Sequence, residues 1–158
     1  MKPATISEIK RELALKSTEE LRELCLRLAK FKKENKELLT YLLYEAGDEA
    51  GYVRMVKLDI EEDFADINTT SYYFIKKSIR KILRNTKKYI RYSQRKDTEV
   101  ELLLYFCEQM KAFSPSINRS TVLKNLYIRQ LQAIEKLLKK LPEDLQHDFG
   151  LELERLKE

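Results

Sequence analysis

Three glycines and three prolines in 158 residues leave this chain very little with which to turn. Those two residues are the strongest local punctuators of a backbone, and a chain so poor in them has to be built from long continuous elements. Its abundant residues are Lys, Glu, Leu and Arg, all good helix formers. No segment alternates at period two for long enough to argue a strand. The chain therefore reads as all-α.

Helix starts and stops are written in the same terms. Thr5 with Glu8, Ser17 with Glu20, and Thr98 with Glu101 each have capping-box spacing. Apolar residues then follow at three and four. Ile6, Ile9 and Leu13 line a first helix. Leu21, Leu24, Cys25, Leu28 and Phe31 line a second, ending near Lys32. Leu38, Leu39, Leu42 and Leu43 line a third, which Gly47 ends. A fourth, from Glu49 to Ile67, carries Tyr52, Val53, Val56, Ile60, Phe64 and Ile67. A fifth runs from about Ser71 to Gln94, and a sixth from Thr98. Pro115 breaks the chain in a loop at 113–119. A seventh spans Thr121 to Leu141, and Pro142 opens an eighth.

Short breaks make consecutive helices antiparallel neighbours. The expectation is one domain over 1–158, with seven or eight antiparallel helices, either a helical-hairpin stack or an irregular bundle. A shift of 64 residues superposes Arg27 on Arg91, Glu37-Leu38-Leu39 on Glu101-Leu102-Leu103 and Tyr41 on Tyr105. In its helix lengths the layout resembles HEAT-like helical repeats. It carries no repeat consensus.

At 43% hydrophobic and 36% charged, the chain is too apolar for disorder. No run approaches the roughly 18 apolar residues of a membrane span. The start, MKPATISEIKREL, lacks the apolar core of a signal peptide, so a cytoplasmic protein is expected. Cys25 and Cys107 have no metal or redox spacing and read as small core residues.

Catalytic machinery is not visible. His147 is the one histidine, which is too few for HExxH zinc or Glu-x-x-His di-iron sites. Gly47, Gly51 and Gly150 form neither a P-loop nor GxGxxG. Asp59, Glu62, Asp63 and Asp66 share a helix face, read as solvated charge rather than a metal site. No enzyme activity, cofactor or metal is expected.

One segment departs from the mixed charge of the rest. Residues 67–96 hold ten of the 31 Lys and Arg and none of the 26 Asp and Glu, so the remainder is net acidic. Tyr72, Ile75, Ile79, Ile82, Leu83, Thr86, Tyr89 and Ile90 form its apolar stripe. Lys76, Arg80, Arg84, Lys87 or Lys88, Arg91 and Arg95 recur about every four residues beside it, over about 28 Å. Lys77 and Lys81 widen that row. Tyr92 lies near the cations, as does Tyr73, with a ring able to stack on a base. The acids of the fourth helix are placed to neutralise part of the row. Even so, the pattern suits the backbone of a nucleic acid. The alternative is a helical scaffold recognising an acidic protein partner. The sequence does not specify an oligomeric state.

Overall fold

The computed structural model describes residues 1–158. It is 81% helical, with eight α-helices and no strand. No helix is long and apolar enough to cross a membrane. The chain divides into two compact units, Met1–Tyr44 and Glu45–Glu158, and the loop at 113–119 lies inside the second.

The first unit holds α1 (Ile6–Ala14), α2 (Thr18–Phe31) and α3 (Lys33–Thr40), and a π-helical turn at Tyr41–Glu45 continues α3. Two capping boxes set its starts. The Thr5 N–H donates to the Glu8 carboxylate at 2.7 Å, and the Glu8 N–H returns a bond to the Thr5 hydroxyl at 3.3 Å. Ser17 and Glu20 repeat this at 3.2 Å each way. Each box satisfies two N–H groups that a helix start leaves unpaired. Only Lys32 separates α2 from α3, and the Asn35 side-chain amide closes the corner on the Leu28 carbonyl at 2.8 Å.

The apolar stripes of this unit depart from expectation: no residue of α1, α2 or α3 is buried. Leu28 is 62% exposed and Phe31 77%. Cys25 is likewise exposed and is not a core residue. The reason is size. Three short helices with one apolar stripe each have too little surface to enclose a centre.

The second unit holds α4 (Glu49–Ala65), α5 (Tyr72–Ser93), α6 (Lys96–Ala112), a 3₁₀ turn (Ile117–Arg119), α7 (Thr121–Leu138) and α8 (Glu143–Lys157). Here the predicted stripes are the core. Val56, Ile75, Ile79, Leu123 and Ile134 are fully buried. At the centre lies α6, packed against α4, α5, α7 and α8. Val100, Leu102, Leu103, Leu104, Phe106, Cys107 and Met110 are all buried, as expected of a helix apolar on all sides. The 64-residue offset finds no echo in burial, because Leu38 is 37% exposed where Leu102 is 0%.

The start of α6 also corrects the sequence reading. Arg95 is its N-cap, and Thr98 lies inside the first turn. Thr98 is buried, and its hydroxyl donates to the Glu49 carboxylate at 2.7 Å. No local box forms, because that hydroxyl has a partner far away in sequence. Ser93 donates to the same Glu49 oxygen, so one carboxylate at the start of α4 holds the α5–α6 junction. The Tyr52 hydroxyl adds a bond to the Tyr89 carbonyl at 2.9 Å, fixing α5 to α4. At the other end, Tyr127 and Lys111 donate to the Leu156 and Arg155 carbonyls at 2.6 and 2.8 Å. These are last-turn carbonyls of α8 that lack helical partners.

Candidate functional site

The apolar stripe of α5 fixes which way its cations point. Ile75, Ile79, Ile82, Leu83, Thr86 and Ile90 are buried, so the opposite side must be solvated. On it lie Lys77, Arg80, Lys81, Arg84, Lys87 and Arg91, all exposed. Four of them, Arg80, Arg84, Lys87 and Arg91, line one shallow concavity of about 280 Å³, with Leu83 as its fifth wall. Their spacing of four, three and four residues places a cation about every 5 Å of helix axis.

The acids of α4 do not neutralise this row. Lys76, Lys77, Arg80, Lys81, Arg84, Lys87 and Arg91 make no ion pair with any carboxylate. An ion pair from α4 to α6 uses another face, with Lys57 Nζ 2.7 Å from Glu101 Oε1. Asp59, Glu62 and Asp63 remain exposed on α4. Burial first, then the neighbouring Asp63 and Glu62, push the Asp59 carboxyl above its usual value. No group of three or more His, Cys, Asp or Glu side chains is placed to hold a metal ion. His147 is exposed on α8.

Four of the residues read as one row behave differently. Tyr92 is buried, 9% exposed, with its ring edge-on to Tyr89 at 6.0 Å between centroids. It presents no face to a base. By helical period position 92 falls within about 20° of exposed Lys81, so its burial comes from packing around the last turn of α5 and not from the period. Arg95 lies beyond the end of α5. Gln94 takes a left-handed conformation with φ 59°, which turns the chain, and the Arg95 guanidinium bonds Asp97 at 2.8 and 3.2 Å. Lys88 is half-buried, its ammonium 4.9 Å from the centre of the Tyr89 ring. Lys76 is half-buried as well. The open row therefore runs from Lys77 to Arg91, about 21 Å.

At the N-terminal end of the row stands Tyr73, 66% exposed, with Phe74 beside it at 42%. Their rings meet edge-on at 5.3 Å. The series 73, 77, 80, 84, 87, 91 has one helical spacing, so Tyr73 belongs to the cationic face. That period is readable from the sequence. Chemically the face offers strong donors and one aromatic end.

Compared with known proteins, the chain matches no family model, no curated protein and no solved structure.

Proposed function

We propose that this is a non-enzymatic binding protein whose α5 face holds the backbone of a nucleic acid with little preference for sequence. One observation carries the reading: Arg80, Arg84, Lys87 and Arg91 line a single concavity and none has an internal counter-ion. Like charges three or four residues apart cost a helix a few tenths of a kcal/mol per pair. A surface shaped for solubility alone would interleave the signs. Guanidinium forks suit phosphate oxygens, and the three arginines supply them in a row. Cations repeating along a shallow helix face suit successive phosphates, contacts that carry no sequence information, so affinity follows charge.

The test is binding of labelled single- and double-stranded DNA and RNA at low salt, by wild type and by Arg84→Glu/Arg91→Glu. Both positions are exposed, so the fold is expected to persist, with circular dichroism as the control. Loss of binding in the double variant is the expected result. A wild type that binds no nucleic acid, or a double variant that binds equally well, removes the reading. Binding to an acidic polypeptide in its place assigns the same face to a protein partner.

A further inference from the structure

We propose, resting on the α5 reading, that the nucleic acid held there is single-stranded and that one of its unpaired bases stacks on Tyr73. Of the aromatic residues in the second unit, Tyr73 and Phe74 alone are exposed, and the others are buried or half-buried. Both exposed rings stand at one end of the cationic row. Positions 73, 80, 84 and 91 fall within about 20° of one line along α5, with 77 and 87 about 40° to either side. Tyr73 precedes Lys77 by about 6 Å of helix axis, close to the spacing of the cations themselves. Ring and cations therefore make one continuous track of about 27 Å.

The ring is held outward with a face open. Ile75 and Ile79 are fully buried, and the Tyr72 hydroxyl donates to the Ser116 carbonyl at 2.8 Å, which fixes the first turn of α5. Phe74 meets Tyr73 edge-on, at 5.3 Å between centroids and 76° between planes. In such a contact one ring turns its edge to the other, so Phe74 covers at most one face of Tyr73. At 66% exposed, Tyr73 keeps most of its surface in solvent. A tyrosine so placed offers a large flat contact with only two side-chain torsions to order.

The ring selects the strand. In a duplex the faces of each base are covered by its neighbours, and a ring beside the phosphates has nothing to stack on. An unpaired strand offers a π-face at every nucleotide, and aromatic rings beside a positively charged track are how such strands are held. Every base has such a face. Stacking therefore adds affinity without adding sequence preference, in keeping with contacts to phosphate.

The test is binding of the full chain to an oligothymidylate of about 15 nucleotides, at the upper end of ordinary single-strand sites, beside an abasic strand of equal length and a duplex. The abasic strand keeps the phosphates and lacks the bases. Wild type is expected to bind the oligothymidylate roughly five- to a hundredfold more tightly than the abasic strand. Tyr73→Ala should lose that ratio and Tyr73→Phe should keep it. Neither should change duplex binding or the salt slope. Position 73 is exposed, so the fold is expected to persist, with circular dichroism as the control. The chain has no tryptophan, so Tyr73→Trp supplies a single indole. The oligothymidylate should quench its emission and the abasic strand should not. A wild type that binds no nucleic acid removes the α5 reading, and this proposal with it. Equal binding of the two strands overturns the stacking alone and leaves the phosphate contact standing. So does a ratio that survives in Tyr73→Ala, an equal loss on strand and duplex in that variant, or an indole left unquenched.

Discussion

The Thr98 hydroxyl donates to the Glu49 carboxylate at 2.7 Å, across 49 residues of sequence. Through this bond and the one from Ser93, the first turn of α4 holds the corner where α5 ends and α6 begins. Hydrogen bonds to charged groups contribute about 1.5–3 kcal/mol, and an orphaned buried hydroxyl costs about 1–3 kcal/mol. Glu49→Ala is therefore expected to lower stability by about 2–3 kcal/mol. Glu49→Gln, which keeps one acceptor, should lose less. Urea unfolding midpoints at constant m-value check this ordering. Equal stability of Glu49→Ala and wild type would contradict it.

The two thiols should part company. Burial, with a smaller contribution from Glu108, pushes the Cys107 thiol up to about 12, so it is neither accessible nor ionised near neutrality. Cys25 is exposed. A disulfide reagent added to native protein should titrate one thiol at once and the second only on unfolding. Cys25→Ser should abolish the rapid phase. Two rapid thiols, or a rapid phase that persists in Cys25→Ser, would show that Cys107 is open.

Gln94 closes α5 in a left-handed conformation at φ 59°, with its N–H on the Ile90 carbonyl at 3.0 Å. An L-residue with a Cβ pays roughly 1–2 kcal/mol there, and glycine does not. Gln94→Gly is expected to raise stability by about 1 kcal/mol, less what glycine loses in unfolded-chain entropy. In a chain of this size that is about 2–4 °C in Tm. A lower Tm would mean that the Gln94 side chain matters more than its backbone.

The capping boxes give α1 and α2 an acid limit. The backbone N–H groups of Thr5 and Ser17, followed by their hydroxyls, hold the Glu8 and Glu20 carboxyls below their ordinary 4.5. A carboxyl with a lowered folded value contributes stability that is complete above the unfolded value. That stability is lost as pH falls through the folded one. Helicity at the starts of α1 and α2 should thus hold above about 4.5 and fray below it. Backbone amide shifts of Glu8 and Glu20 report this directly. Glu8→Gln and Glu20→Gln should flatten the dependence.

Much of the second unit was legible because its stripes have a core to face. Tyr52, Val53, Val56, Ile60, Phe64 and Ile67 were read as one side of a helix, and all are buried. The same pattern in α2 led to the opposite outcome. Periodicity marks an apolar face but does not say what covers it, so Cys25 and Leu28 look like core in sequence and are solvated in the fold. Thr98 shows a second limit. Its spacing to Glu101 matches a capping box, yet a carboxylate 49 residues away takes the hydroxyl. At the candidate site, the direction of Arg80, Arg84 and Arg91 followed from the helical period alone. Tyr92 and Arg95 did not, because packing at the last turn of α5 buries Tyr92 against the period and one left-handed residue turns the chain before Arg95.

The most direct test of the α5 assignment is the salt dependence of nucleic-acid binding. Four cations, Arg80, Arg84, Lys87 and Arg91, line the concavity. If each displaces one counter-ion, log affinity should fall against log salt with a slope of about −3.6 on duplex DNA and about −2.8 on a single strand. In Arg84→Glu/Arg91→Glu, whatever weak binding remains should show a slope of no more than about half as much. A slope near zero, or one that the double variant leaves unchanged, would contradict an electrostatic contact made by this face.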